Sequence, residues 1–270
     1  MNGDTSASST ARAAQNTAVF RVLARVGYAV LGVLHILIGL IAISIATGVG
    51  ASDADQGGAL QQIQRAPAGT VLLWIIVLGL VALAVWQVAE ALIERHPDTK
   101  KKWGRRSEFI GTAVAYVAIA GTALTYALGG QSPSDQSSQT FSSRLLSAPA
   151  GVALLVLVGL VIAAVGIAFV IRGITRAFTK HLDLPSGAAR TSIIALGIAG
   201  YIAKGIAVAV TGALFVAAAL THDPEKAGAL DAALRALAEL PFGAVILWTV
   251  GAGLALYGLY CFARARYARM

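Results

Sequence analysis

The chain has 270 residues, 57% of them hydrophobic and 13% charged, with a mean hydropathy of +0.74 and a formal charge of +8. That composition lies outside the range of soluble domains and fits a membrane protein. The positive charge is clustered between apolar runs rather than spread over one face, which argues against a nucleic-acid partner.

Residues 1–24 begin with the polar, small-residue stretch "MNGDTSASSTARAAQNTAV" and read as a disordered tail. No cleavable leader is expected, because the first apolar run is too long and lacks a suitably placed small-residue cleavage site. Six apolar stretches follow, at about 26–47, 70–93, 108–129, 150–171, 192–220 and 242–263. Each is long enough as a helix to cross a hydrocarbon core of about 30 Å.

Along the first stretch Gly32, His35 and Gly39 recur at helical spacing. It is followed by "GALQQIQRA" and Pro-Ala-Gly at 67–69. The second stretch carries Gln87 and Glu90 near its end and runs into the basic loop "ERHPDTKKKWGRR". The third contains Tyr116, and "TFSSRLLSA" with Pro-Ala-Gly at 149–151 introduces the fourth, which ends at Arg172. The fifth holds Lys204 between Gly200 and Gly212, and "GALDAALRALAEL" with Pro-Phe-Gly at 241–243 introduces the sixth, which ends with Cys261 and Arg264. The three segments before Pro-x-Gly read as short amphipathic helices on the outer membrane surface. Proline at the start of the following span suits a first helical turn, where its missing N–H would have no partner.

Two sets of anchors reveal an internal repeat. The three Pro-x-Gly motifs and the positions Gly27, Glu108 and Gly200 both divide the chain into the same three units. The predicted units are 25–106, 107–190 and 191–270, each a span, a surface helix and a returning span. In this register Tyr28, Phe109 and Tyr201 are equivalent, as are Gly32, Ala113 and Gly205, and Gly39, Ala120 and Gly212. Small residues seven apart on one face mark Gly32, Gly39, Gly205 and Gly212 as helix-packing positions. Two spans per unit give the units a common orientation, hence parallel repeats. The predicted fold is an all-α polytopic membrane protein of six spans, with circular and linear orders of the units both open.

Of the 21 basic residues, 16 lie before the first span, in 94–106, in the loop from the fourth to the fifth span, or at the C-terminus. The alternate loops carry Asp53, Asp55, Asp135, Asp223, Glu225, Asp231 and Glu239. By the positive-inside rule both termini are cytoplasmic, in a plasma membrane.

Three units with a "G-x-x-x-x-G-x-x-[HY]"-like opening and a "GAL…P-x-G…LLW" return resemble the domain-of-unknown-function 1206 family of bacterial, mainly actinobacterial, membrane proteins. The resemblance runs from about Arg25 to Tyr267. The middle unit departs from it, with Glu108 in place of glycine and no tryptophan after Pro149. It implies six spans in a plasma membrane and no particular activity.

Ionisable groups within spans are candidate functional sites. Lys204 lies about 9 Å inside the membrane edge and Glu90 about 6 Å, depths compatible with an ion pair. His35, about 15 Å deep, could bond a tyrosine or a carbonyl, or relay protons. Tyr116 is its counterpart in the second unit, and Gln87 lies one turn before Glu90. His35, Glu90, Lys204, Gln87 and Tyr116 make up the candidate polar, proton or ion path. Arg172 and Arg264 occupy the register of Glu90, so a threefold bundle would set all three around a cytoplasmic mouth. No metal-ligand spacing, phosphate loop, dinucleotide fingerprint or nucleophile elbow appears, so no enzyme, cofactor or metal is expected. The leading expectation is a structural or accessory membrane component, with the lipid bilayer and membrane-protein partners or further copies as its company. The rival is a small transporter or channel along the pseudo-threefold axis.

Overall fold

The computed structural model describes residues 18–48, 54–94, 99–131 and 134–269. The expected tail lies largely outside these residues, but 18–24 are helical, because Ala18, Val22, Leu23, Ala24 and Val26 extend the apolar character of the first span toward the N-terminus. Six helices are long and apolar enough to cross a membrane: α1 (Ala18–Ala46), α3 (Gly69–Ile93), α4 (Thr99–Ala127), α6 (Gly151–Ile174), α7 (Ala188–Thr221) and α9 (Gly243–Tyr267). Three shorter helices precede the even-numbered spans: α2 (Gln56–Arg65), α5 (Ser134–Leu146) and α8 (Leu230–Ala238). The protein is therefore an all-α, multi-pass membrane protein. Part of the basic loop is also helical, since α4 begins at Thr99, ahead of its apolar run.

Each passage from a surface helix to the next span uses one tight turn. Gly69, Gly151 and Gly243 donate their N–H to the carbonyls of Ala66, Ala148 and Leu240 at 2.9, 2.9 and 2.7 Å. The intervening Ala68, Ala150 and Phe242 adopt φ of 60°, 60° and 61°. Proline followed by a positive φ is the pattern of a type II turn, whose third position ordinarily takes glycine. A Cβ on any of the three glycines would run into the carbonyl of Ile63, Leu145 or Ala238, so glycine is needed at the fourth position instead. The left-handed alanines are strained. Ala68→Gly and Ala150→Gly are each expected to stabilise by about 0.5–1 kcal/mol, or roughly 2 °C in detergent. A fall in Tm would refute that assignment.

The spans pack in the order α4, α3, α1, α9, α7, α6. At two of the seams glycines bring backbones into contact. On α1 and α9, a Cβ on Gly32 would stand 2.8 Å from the carbonyl oxygen of Gly258, and one on Gly39 would strike that of Gly251. On α7 and α6, Cβ atoms on Gly205 and Gly212 would each approach the carbonyl oxygens of Gly166 and Gly159 to 2.6 Å. In lipid, where apolar surface gains little by leaving its surroundings, such close approach is the main source of helix attraction. The equivalent seam between α3 and α4 lacks these glycine pairs; on α4 the register places Ala113 and Ala120, both buried. Between the helices, Leu34, Ile38, Leu73, Leu80, Leu83 and Leu254 belong to one buried apolar cluster.

The series does not close, because no extended interface joins α4 to α6. At the surface-helix end, polar contacts nonetheless run all the way round. Gln64 on α2 donates to the Tyr126 carbonyl at the end of α4 (2.7 Å), and Gln139 on α5 to the Glu225 carbonyl (3.3 Å). Asp231 on α8, 2% exposed, accepts the Ala54 N–H and the Arg235 guanidinium, each at 2.6 Å.

At the opposite, basic end, the segment after α6 folds back under the bundle. Its 3-10 turn Ala177–His181 inserts Phe178 among the helices. Asp183 then donates its N–H to the Tyr267 carbonyl at 2.8 Å and pairs with Arg269 at 2.5 Å.

Candidate functional site

The polar side chains predicted within the spans fall into three settings. At the first, Lys204 of α7 projects toward the bundle interior, its Nζ 4.5 Å from the ring centre of Tyr257 on α9 and 5.3 Å from that of Phe169 on α6. An ammonium in an apolar medium needs compensating negative potential, and ring faces supply it. The structure therefore places Lys204 against two aromatic rings, and among the described residues no salt bridge joins it to Glu90. Depth along the helix matches the two charges, but the rotation of α7 aims the lysine at α6 and α9.

His35 of α1 reaches the same tyrosine, with ring centres 4.7 Å apart. Its Nδ1 lies 2.8 Å from the Leu31 carbonyl. A carbonyl can only accept, so Nδ1 carries the proton in this bond. The side chain is buried. His35 and Lys204 thus meet at Tyr257.

Tyr257 belongs to an aromatic cluster that the sequence reading missed. Tyr201 stacks on Phe178 at 5.2 Å with 17° between planes, and Tyr260 meets Phe178 edge-on at 5.2 Å. Tyr201 and Tyr257 are also edge-on at 5.2 Å. Aromatic pairs of this kind contribute about 0.5–1.5 kcal/mol beyond area burial. The signal for Tyr257 and Tyr260 was their three-residue spacing, which puts both on one face of α9. Phe178 had none, since it sits in a basic connection without periodicity.

The third setting is the basic end of the even-numbered spans. Arg172 on α6 pairs with Glu108 on α4 at 2.6 Å, and the guanidinium carbon of Arg264 lies 4.3 Å from the ring centre of Tyr28. Arg172 thus reaches α4 across the open side of the series through a carboxylate, and Arg264 meets the adjoining α1 through a ring. Glu90 is half-buried on α3, Gln87 is buried one turn before it, and Tyr116 is buried on α4. Among the described residues, no three histidine, cysteine, aspartate or glutamate side chains gather where they could hold a metal ion. The one cysteine, Cys261, is buried in α9.

Comparison with known proteins agrees with this architecture. A Bacillus subtilis (strain 168) protein described as "Uncharacterized protein YxxB" is 34% identical over 250 residues, covering 91% of this chain and 90% of the relative. No solved structure matches the chain. The family described as Domain of Unknown Function (DUF1206) matches three times, at residues 26–94, 108–176 and 199–268, and each match takes in one pair of spans with the surface helix between them. On these matches, which cover most of its length, the chain belongs to the DUF1206 family of integral membrane proteins.

Proposed function

We propose that the protein is a structural or accessory component of a bacterial plasma membrane, without enzymatic activity, built from three parallel two-helix repeats. The three family matches and the three Pro-x-Gly turns of common backbone geometry support the repeat. Positive charge concentrated at the end where α1 begins and α9 finishes supports a cytoplasmic location for both termini. Membrane-protein partners or further copies of the chain are the natural company for such a component.

The observation that carries the reading is the setting of His35. The deepest titratable side chain is buried, bonded to its own helix and packed on Tyr257. A proton relay needs a neighbour that exchanges protons with solvent, whereas a histidine held in this way braces α1 against α9.

Proton and ion flux into proteoliposomes tests the proposal. The purified protein is expected to give no flux above empty liposomes under a pH gradient or across a panel of ions, with His35→Ala and Lys204→Ala giving the same result. Flux that disappears in either folded variant would overturn the accessory reading in favour of a transporter or channel.

A further inference from the structure

We propose that the opening between α4 and α6 receives one anionic phospholipid from the leaflet at the basic end, its phosphate drawn to Lys204 and Arg172 and an acyl chain lying between the two helices. The proposal goes beyond the accessory role and does not depend on it.

The first support is the shape of the wall. Helices α4 and α6 are the two spans of the middle segment, yet α4 packs on α3 and α6 on α7, without an interface between them. At the basic end Arg172 and Glu108 reach across the opening and pair at 2.6 Å. Residues sharing the Glu108 face of α4 by helical spacing are Gly111, Ala115 and Ala118; those sharing the Arg172 face of α6 are Ala168, Val165 and Val161. All six are exposed, and a Cβ added at Gly111 would meet nothing within 4 Å. These walls are apolar, small and uncovered. An ion pair across one end leaves no room there for a helix about 10 Å thick, whereas an acyl chain is slender enough to lie alongside it.

The second support is charge. At the mouth of the opening Arg172 is paired with Glu108, whereas Lys204 and Arg264, deeper in the basic half of the bundle, are both met by aromatic rings. The rings that meet Lys204 bring it no formal negative charge. In a medium of low dielectric constant such an arrangement favours an anion. Phe169, one of the two rings at Lys204, belongs to α6, so the ammonium lies beside the same helix that forms one wall of the opening. A phosphate carried by a lipid reaches this depth with its tails already in hydrocarbon. A soluble phosphate would have to cross the basic end and lose its hydration.

Native mass spectrometry of the full chain in detergent tests this. The probes are phosphatidylglycerol and phosphatidylcholine with identical acyl chains, offered in competition. The wild type is expected to retain one phosphatidylglycerol about tenfold in preference to phosphatidylcholine. Lys204→Gln should bring the two to parity, and Lys204→Arg should keep the preference. A triple variant, Arg21→Gln and Arg25→Gln on α1 with Arg266→Gln on α9, removes basic charge away from the opening and should also keep it. Equal retention of the two lipids by the wild type would overturn the proposal. So would loss of preference in the triple variant equal to that in Lys204→Gln, because the lipid would then be held by general surface charge. If Lys204→Gln does not fold, Arg172→Gln, at a half-exposed position, reads the same site, and an unchanged preference there overturns the assignment. Retention is measured without a gradient, so its outcome is separate from that of the flux experiment.

Discussion

Gly39→Val is expected to prevent assembly of the bundle, with a loss of more than about 3 kcal/mol, while Gly111→Val and Gly121→Val leave Tm within about 2 °C of wild type. All three glycines lie within apolar spans and look alike locally. At Gly39 the Cβ position is already taken by the Gly251 carbonyl, with the backbone nitrogen of Ala255 2.7 Å away. Neither is the far end of a flexible side chain, so α1 and α9 would have to separate along their length. Separation removes the dispersion contacts that hold helices together in lipid. At Gly111, on the α4 wall of the opening, and at Gly121, nothing lies within 4 Å of an added Cβ. Size-exclusion profile and Tm in detergent distinguish the cases. Aggregated Gly39→Val beside monodisperse Gly111→Val is the expected result, and equal behaviour of the two would show that the α1–α9 contact is not what holds this seam.

That contrast also marks how far the sequence could be read. The apolar runs define the spans, because crossing hydrocarbon demands length and composition alone. The seven-residue spacing of Gly32 and Gly39 shows a small-residue face, but not which helix meets it. The pattern within each unit invites pairing of its own two spans. The glycine contacts instead join α1 to α9 and α6 to α7, across the borders between family matches. The opening between α4 and α6 follows from the same preference. Gly159 and Gly166 turn toward α7, and no comparable face remains on α6 for α4. Lys204 illustrates a second limit. Depth comes from counting residues, whereas the partner depends on a helix rotation that only packing fixes. Phe178 is a third: its burial depends on a chain reversal held by contacts with the C-terminus, far away in sequence.

Phe178→Ala is expected to cost about 3–4 kcal/mol, more than any substitution at the neighbouring Asp183–Arg269 pair. The ring is 2% exposed and fills the space between Tyr201 and Tyr260, and a Cβ on Gly197 would strike it. Truncation leaves a cavity lined by rings that cannot move inward without disturbing α7 and α9. Two aromatic contacts are lost with it. The ion pair beside it is short, at 2.5 Å, but its side chains are 64% and 68% exposed, and such pairs contribute about 0–1 kcal/mol. Asp183→Ala should therefore shift Tm by no more than about 2 °C. Hydrogen exchange adds a local measure. In Phe178→Ala the amide of Asp183, held by the Tyr267 carbonyl, should lose protection together with the segment around it, whereas in Asp183→Ala that backbone bond can persist. If Asp183→Ala costs as much as Phe178→Ala, the ion pair and not the ring anchors the segment. If the ring dominates, the aromatic cluster is what joins this segment to the helices carrying Lys204 and Tyr257, and loosening it should reach the lysine through Tyr201.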